Sequence, residues 1–208
     1  MKKTIILAIA LITALYAAAT DRFYIEDFSI AAGKTCIVSI LLDNETAYTA
    51  FQSDVYLPDG LTASNFTLTA RKNSNHSLTA TVLPDGGIRL LSYSVKLKTY
   101  SGNSGALVTF DVTASEEFVG PTTIMLRHTL FTTEDGVEIP FNDETCSVTA
   151  VKLGDVNDDG FINVADVTAL IQIVLNSTPV DLAVADINGD NQINVADVTA
   201  LIQMVLNN

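Results

Sequence analysis

One segment occurs twice near the end of this 208-residue chain, and it constrains the fold more than any other feature. Residues 155–176 and 186–207 differ at only five positions. In each copy, side chains with oxygen atoms occupy positions 1, 3, 5, 9 and 12, and an apolar stretch follows. A single loop of this kind could be an acidic turn that has no ligand. Two copies at a fixed spacing, each leading into the same apolar segment, indicate a duplicated structural unit.

The spacing of these oxygens is that of the EF-hand loop, in which position 7 adds a backbone carbonyl. Such a loop directs several oxygens at one point, as a hard cation requires. Between Asp155 and Asn208 there are eight Asp and no Lys or Arg. Because clustered carboxylates repel one another without cations, we expect this segment to fold only when calcium is bound.

Residues 154–208 resemble the dockerin module, a small calcium-folded domain that attaches bacterial polysaccharide-degrading proteins to cohesin partners. The resemblance rests on the doubled Asp-x-Asn-x-Asp…Asn-x-x-Asp loop followed by an apolar helix. Dockerins also have Asp rather than Glu at position 12, as Asp166 and Asp197 are here, and lack a full helix before each loop. The resemblance implies a calcium-dependent docking domain with a cohesin-type partner.

Carried over position by position, the resemblance implies two calcium ions held by ten residues, with Phe161 and Gln192 contributing backbone carbonyls. The implied ligands are Asp155, Asn157, Asp159, Phe161 and Asp166 in the first loop, and Asp186, Asn188, Asp190, Gln192 and Asp197 in the second. Asn163 and Asn194 occupy the position where a water-bridged contact is usual. Position 6 is Gly160 in the first loop but Asn191 in the second. Since this turn requires a left-handed backbone, we expect the second loop to bind calcium more weakly.

The segment after each loop has the spacing of an amphipathic helix. The apolar positions are Val167, Leu170, Ile171, Val174 and Leu175, repeated as Val198, Leu201, Ile202, Val205 and Leu206. We expect the two stripes to pack together as a core, in preference to forming a further binding surface. Thr178-Pro179 has the pattern of a helix start.

The resemblance also places partner contacts at loop positions 10 and 11. These are Val164-Ala165 and Val195-Ala196, with Gln172 and Gln203 further along each helix. The implied partner surface is therefore apolar, and either copy could face the partner.

The first nineteen residues have the pattern of a secretory signal peptide. Lys2 and Lys3 precede an apolar run, and Ala17 to Ala19 form a small-residue cleavage site. The run is short for a bilayer span, so we expect no membrane insertion once the signal is removed. The sequence predicts export, to the medium, the cell surface or the periplasm. Without Lys2 and Lys3, the formal net charge changes from −13 to about −15, which disfavours nucleic acid as a partner.

Residues 22–151 are predicted to form an antiparallel β-sandwich of the jelly-roll type, so the fold is mainly β with a small α part. Apolar residues alternate in 36–42, 106–112 and 124–130, and Pro/Asp/Gly turns separate such runs. The stretches 28–44, 51–58 and 105–112 resemble those of cohesin domains. Related sandwiches include carbohydrate-binding modules, so this fold does not decide function.

Few residues of the sandwich have reactive side chains. Cys36 and Cys146 either form a disulfide or remain two free thiols, and the sequence leaves both possibilities open. His76 is predicted to be a solvated loop residue and His128 a core or edge residue. Adjacent acids at 116–117 and 134–135 make poor acid/base pairs, since neighbours on a strand face opposite ways. The sequence therefore predicts that the chain is not an enzyme.

The sequence favours an exported, non-catalytic assembly protein that uses a calcium-folded dockerin to bind a cohesin-type partner, which could be another copy of the same chain. One alternative is a carbohydrate-binding module carried by a dockerin, with Tyr48, Tyr56, Tyr93 and Tyr100 as possible sugar contacts, although the chain has no Trp. A polysaccharide hydrolase is the least favoured alternative. Because the linker 151–154 is short, we expect Leu153 or Phe161 to contact the sandwich.

Overall fold

The computed structural model describes residues 21–207, so the predicted signal peptide lies outside the described residues. Eleven strands are followed by three helices. The strands are β1 Arg22–Ile25, β2 Phe28–Ala31, β3 Thr35–Asp43, β4 Tyr48–Tyr56, β5 Leu61–Leu68, β6 His76–Val82, β7 Ile88–Ser94, β8 Ala106–Ala114, β9 Thr122–Thr133, β10 Glu138–Pro140 and β11 Glu144–Val151. The helices are α1 Val164–Asn176, α2 Leu182–Ala185 and α3 Val195–Leu206.

The strands form two sheets that pack face to face. One sheet has four strands in the order β1-β3-β8-β5, and the other has the order β2-β11-β9-β4-β7-β6 with β10 added beside β9. The predicted fold class, a β-sandwich followed by a small helical part, is confirmed. One feature was not predicted: β2 and β11 pair in parallel, whereas the other described pairs are antiparallel.

Alternating residues of both sheets fill the core between them. Phe23 from β1 packs against Phe51 of β4 and Phe131 of β9, with ring centroids 5.2 Å away in both cases. These three rings are at most 1% exposed. Burying each large aromatic ring contributes on the order of 2–3 kcal/mol, so this cluster joins the two sheets firmly.

The predicted alternation in β9 is broken by a bulge. Ile124 and Leu126 face the core as expected, but Arg127 and His128 are both exposed and His128 has a φ of 52°. The register with β4 shifts at this point, so Thr129 and Phe131 point inward and Leu130 does not. His128 is therefore neither a core nor an edge residue. Its Nδ1 lies 3.0 Å from the buried carboxylate of Asp54.

His76 also differs from its prediction as a solvated residue. It begins β6, is only 9% exposed, and stacks on Tyr100 with 4.1 Å between the ring centroids. Its Nδ1 accepts a hydrogen bond from the backbone N–H of Asn73. The sequence did not predict this role, because the composition of the Asn/Ser-rich turn before His76 does not show which side chain packs against it.

Both cysteines are free thiols. Cys36 lies in the four-stranded sheet and Cys146 in the other, where its Sγ is 3.1 Å from the carbonyl oxygen of Glu26. Burial raises the pKa of Cys36 to about 11 and that of Cys146 to about 12. Since the thiolate is the reactive form, both thiols are poor nucleophiles near neutral pH.

The part of the chain after β11, residues 152–207, is called the tail. The predicted helix start at Thr178-Pro179 is wrong, because α2 begins at Leu182 and is capped by Asp181, whose side chain accepts a hydrogen bond from the backbone of Ala183. None of the described helices is both long and apolar enough to cross a membrane.

Candidate functional site

The two loops of the tail have almost the same geometry where their helices begin. Asn163 and Asn194 are the N-cap residues of α1 and α3, and both have φ −152° and ψ −169°. Their side chains accept hydrogen bonds from Ala165 and Ala196, at 2.7 and 2.8 Å. These asparagines therefore satisfy exposed helix N–H groups, a role that the sequence analysis did not assign to them. The role could have been predicted from the sequence, because Asn at position 9 followed by Asp three residues later is the pattern of a capping box.

The acids at loop position 12, Asp166 and Asp197, are completely buried. One oxygen of Asp197 accepts hydrogen bonds from the backbone N–H groups of Ile187 and Asn188, at 3.0 and 3.2 Å. The other accepts from Asn194 at 2.9 Å. Asp166 has the same three contacts in the first loop. Each carboxylate therefore ties the beginning of its loop to the beginning of its helix.

The acids at position 1 hold the middle of each loop. Asp186 accepts hydrogen bonds from the backbone N–H groups of Gly189, Asp190 and Asn191, at 2.8 to 3.1 Å. Asp155 accepts from Asp159 and Gly160 in the first loop. The acids at positions 1 and 12 thus order the backbone of each loop through hydrogen bonds before any ion is considered.

The second loop has the geometry of a cation site. Oxygens of Asp186, Asp190 and Asp197 all lie within 4.8 Å of one another. Two oxygens on opposite sides of a calcium ion are about 5 Å apart, since calcium–oxygen distances are roughly 2.3–2.6 Å. The segment from 155 onward has no basic residue that could neutralise these acids. The donor set therefore fits a calcium ion. Asn188 and Asp190 are also joined directly, from Nδ2 to Oδ2 at 3.2 Å.

The first loop has most of the same hydrogen bonds, but among residues 21–207 only the second loop has three acids whose oxygens all lie within 4.8 Å of one another. The Nδ2 atom of Asn157 lies 3.1 Å from Oδ2 of Asp159, and Asp155 and Asp166 accept backbone N–H groups of the same turn. The backbone N–H groups of Phe161 and Gln192 donate to Asp159 and Asp190. Calcium coordination by the ten implied ligands, including the carbonyls of Phe161 and Gln192, and the occupancy of two ions stay predictions.

Each loop has two residues in the left-handed region, not one. Position 4 is Asp158 (φ 59°) in the first loop and Gly189 (φ 78°) in the second. Position 6 is Gly160 (φ 85°) in the first and Asn191 (φ 62°) in the second. Each loop therefore has one glycine and one acid or amide at these positions. The weaker binding expected for the second loop rested on position 6 alone, and position 4 offsets that difference.

Substitution of either loop glycine tests this backbone requirement. We expect Gly160→Ala and Gly189→Ala each to destabilise the calcium-loaded tail by about 1 kcal/mol, because alanine is strained at positive φ. A Cβ atom at either position meets no other atom within 4 Å, so a steric clash is not involved. Asn191→Gly should be neutral or slightly stabilising. Thermal unfolding of the full chain in calcium measures the three effects, and equal stability of both alanine variants and the parent chain would contradict the argument.

The apolar stripes of α1 and α3 pack on each other only in part. Leu170 and Leu201 are fully buried, and Val167, Val198 and Ala185 complete the small core. Gly154 lies against this core, where a Cβ would be 3.1 Å from Leu201 and 3.2 Å from Met204. The prediction that the whole stripe is core is wrong. Ile171 and Leu175 are 37% and 73% exposed.

The exposed apolar residues lie along one side of each helix, and we call these two equivalent sets together the docking face. It consists of Val164, Ile171 and Leu175 on α1, and of Val195, Ile202 and Leu206 on α3. The two sets have nearly equal exposures, from 37% to 78%. Apolar residues left in a row on a helix indicate a surface for another molecule.

The tail contacts the sandwich through α2, which lies beside β2. Leu153 lines a cleft between them together with Ile30 and Ala31 of β2. Phe161 is 71% exposed. Of the two residues expected at this junction, Leu153 is the one in the cleft.

The tyrosines considered for sugar binding are not arranged as one flat platform. Tyr48 and Tyr100 are buried in the core, at 1% and 5% exposure. The hydroxyl of Tyr56 donates to Asp85, and Tyr93 is 44% exposed on the outer face of β7. Tyr48 and Tyr100 therefore cannot stack on a sugar.

The duplicated loops, their capped helices and the small core between them have the organisation of a known module. Residues 153–206 match the dockerin type I domain. Dockerin type I domains bind calcium in general, so the match agrees with the donor set of the loops. Comparison with curated proteins found no match.

The sandwich that precedes the dockerin segment has the fold of cohesin domains. The sixth cohesin of Acetivibrio cellulolyticus scaffoldin B, solved with a Cel5 dockerin, has a TM-score of 0.53 and 11% identity, covering 63% of this chain and 99% of the other. The OlpA cohesin of Clostridium thermocellum, from a type I cohesin–dockerin complex, has a TM-score of 0.52 and 14% identity, with 64% and 99% covered. A non-cellulosomal cohesin of Archaeoglobus fulgidus has a TM-score of 0.51 and 11% identity, covering 63% of this chain and 92% of the other.

Proposed function

We propose that this chain is an exported, non-catalytic assembly protein whose calcium-folded tail docks onto a cohesin-type domain of a polysaccharide-processing or surface complex. The docking face is the observation that carries this proposal. Its six residues are apolar, exposed and borne by helices whose beginnings are fixed by the two loops. A helix face of this kind buries its apolar side chains only when a partner covers it.

The proposed location agrees with the chemistry of the loops. Loops built from carboxylates and amides in extracellular modules bind calcium at roughly 10⁻⁴–10⁻³ M, concentrations found outside cells. The lysines and apolar run at residues 2–16 are the reason to propose export by a signal peptide.

Binding to a panel of purified cohesin domains tests the proposal. The panel includes the Acetivibrio and Clostridium cohesins named above, and the full chain is titrated in calcium and in EDTA. Because α1 and α3 present equivalent faces, Ile171→Glu or Ile202→Glu alone should weaken binding by only about twofold, the loss of one of two equal modes. The double variant should weaken it by about a hundredfold or more, since a charge then lies in the apolar contact of either mode.

Val119→Glu is the matched control, because Val119 is an apolar residue of the sandwich that is 83% exposed and does not belong to the docking face. It should bind like the parent chain. Calcium-independent binding, or a double variant that binds normally, would contradict the proposed docking face.

A further inference from the structure

One difference between the two loops changes the chemistry of the backbone. Position 3 is asparagine in both loops, but position 4 is Asp158 in the first and Gly189 in the second. The second loop therefore contains the pair Asn188-Gly189, which is the only Asn-Gly pair among the 208 residues. Both residues of this pair are exposed to solvent. The first loop, with Asn157 before Asp158, provides a comparison within the same chain.

An asparagine that precedes a glycine is prone to deamidation. The backbone nitrogen of the glycine loses its proton and attacks the side-chain carbonyl carbon of the asparagine. A new C–N bond forms and ammonia leaves, which gives a cyclic succinimide. Water then opens one of the two acyl C–N bonds of the ring, and the product is aspartate or isoaspartate. Glycine favours the reaction because it has no Cβ atom to hinder the ring and its backbone is conformationally free.

The folded second loop holds both reacting groups in other contacts. The backbone N–H of Gly189 donates a hydrogen bond of 2.8 Å to Oδ1 of Asp186, and this carboxylate disfavours loss of the amide proton. The side chain of Asn188 is held at both ends by Asp190. Its Oδ1 accepts from the backbone N–H of Asp190 at 2.9 Å, and its Nδ2 lies 3.2 Å from Oδ2 of the same residue. These hydrogen bonds must open before the ring can close.

The first loop has the same turn without the reactive pair. Asp158 has a φ of 59°, so it keeps the left-handed backbone while carrying a side chain. Its Cβ atom hinders closure of the ring, and its carboxylate disfavours loss of the neighbouring amide proton. Asn157 is therefore the less reactive of the two asparagines even when its loop is open.

Calcium controls how often the second loop is open. A reaction that proceeds only from an open state follows the population of that state. A ligand that binds only the folded form lowers this population, by about a hundredfold when calcium is a hundredfold above the dissociation constant. Deamidation of Asn188 should therefore be slow with calcium and fast without it.

We propose that Asn188 is a calcium-protected deamidation site, through which prolonged loss of calcium permanently inactivates the second loop. This inference rests on the proposed function, since it requires a tail that calcium folds. Isoaspartate carries the main chain through its side-chain carbon, so it lengthens the backbone between positions 3 and 4. Asp186 then no longer lies in register with Asp190 and Asp197. Aspartate, the other product, keeps an oxygen donor that such loops accept at position 3.

Peptide mass spectrometry of the full chain tests the inference. The protein is kept at mildly alkaline pH in calcium or in EDTA and is sampled over time. Deamidation of Asn188 should be about tenfold or more faster in EDTA, because the tail is then open. Isoaspartate is detected by enzymatic methylation with an isoaspartyl methyltransferase. Asn157 in the same samples is the internal control and should deamidate far more slowly than Asn188.

Exchanging position 4 between the loops gives a matched pair of variants. Gly189→Asp gives the second loop the residue of the first, and it should slow deamidation of Asn188 in EDTA severalfold. Asp158→Gly does the reverse, and it should make Asn157 reactive in EDTA and protected in calcium. Each substitution introduces a residue that already has a left-handed backbone at position 4 of the other loop. In EDTA the tail is open in every variant, so differences in folding stability do not enter the comparison.

Calcium binding by aged protein measures the consequence. After incubation in EDTA and return to calcium, the parent chain should bind up to one ion fewer, in proportion to its isoaspartate content. Gly189→Asp treated in the same way should bind as many ions as its fresh sample. Calorimetric titration counts the ions. Equal rates at Asn188 in calcium and EDTA, or an Asp158→Gly chain whose Asn157 stays intact in EDTA, would overturn the inference.

The helical signal of the same samples separates this inference from the proposed function. If EDTA removes the signal and Asn188 still reacts equally fast in both conditions, the inference fails and the proposed function stands. If the signal is the same in calcium and EDTA, the calcium-folded tail is overturned and the inference fails with it.

Discussion

In EDTA, α1 and α3 are expected to unfold while the sandwich stays folded. The small core of the tail has five buried residues, and the segment from Asp155 onward has eight Asp and no Lys or Arg. At calcium a hundredfold above the dissociation constant, each ion adds about 2.7 kcal/mol of stability, so two ions add about 5 kcal/mol. That amount is comparable to the whole stability of a domain this small. Far-ultraviolet circular dichroism of the full chain should therefore lose its helical component in EDTA.

The loop acids can be tested one at a time. Asp166→Asn should abolish binding of one ion and require more calcium to fold the tail, because Asp166 is buried and joins three backbone N–H groups. Asp158→Asn is the control, since it removes the same charge from the same loop at a position that is not an implied ligand. Calorimetric titration with calcium counts the ions. A parent chain whose helical signal is the same in calcium and EDTA would contradict the calcium-dependent fold.

The second large effect is expected at the buried acid of the sandwich. Arg89→Met should destabilise the full chain by about 2–3 kcal/mol, somewhat less than the loss of a fully buried ion pair because the Arg89 side chain is 40% exposed. The reason is Asp54, which is buried and receives two hydrogen bonds of 2.7 Å from Arg89. Without Arg89, only His128 remains as a partner of this carboxylate. Urea unfolding at neutral pH measures the difference.

The dependence of unfolding on acidic pH should also report the Arg89–Asp54 ion pair. The hydrogen bond from Arg89 lowers the pKa of Asp54 below its usual value of 3.8. The stabilisation is therefore present above about pH 4 and is lost as the pH falls through the folded pKa. In Arg89→Met, the free energy of unfolding should therefore depend less on pH in that range.

Arg22→Met is the matched control. Arg22 binds Glu144 with similar distances, 2.7 and 2.9 Å, but its side chain is 52% exposed, so the loss should stay below about 1 kcal/mol. Equal losses for the two arginine variants would contradict the importance of burial.

The sequence predicts the parts of this molecule that depend on local pattern. The spacing of Asp155, Asn157 and Asp159, and of their counterparts in the second loop, identified loops that the structure closes around the same oxygens. Alternation identified the core strands β3 and β8, since Val38, Ile40, Val108 and Phe110 are all buried. These features follow from the periodicity of side chains along a strand or helix.

The features that the sequence did not predict depend on contacts between distant residues. The bulge at His128 shifts the parity of β9 because β4 supplies the buried Asp54 beside it. The inward serines of β7 are accommodated through Tyr100, which lies beyond the end of the strand. Helical periodicity places Ile171 and Leu175 on the same stripe as Leu170, but only the distance between α1 and α3 decides which of them is covered.

The parallel pair of β2 and β11 has a mechanical consequence. β11 ends at Val151 and continues directly into the tail, while β2 belongs to the beginning of the sandwich. A force that pulls a docked tail away from the beginning of the sandwich therefore acts along these two neighbouring strands, and their hydrogen bonds are loaded in shear together instead of opening one after another. An assembly anchored through this tail would therefore load the hydrogen bonds between β2 and β11 along the strand direction.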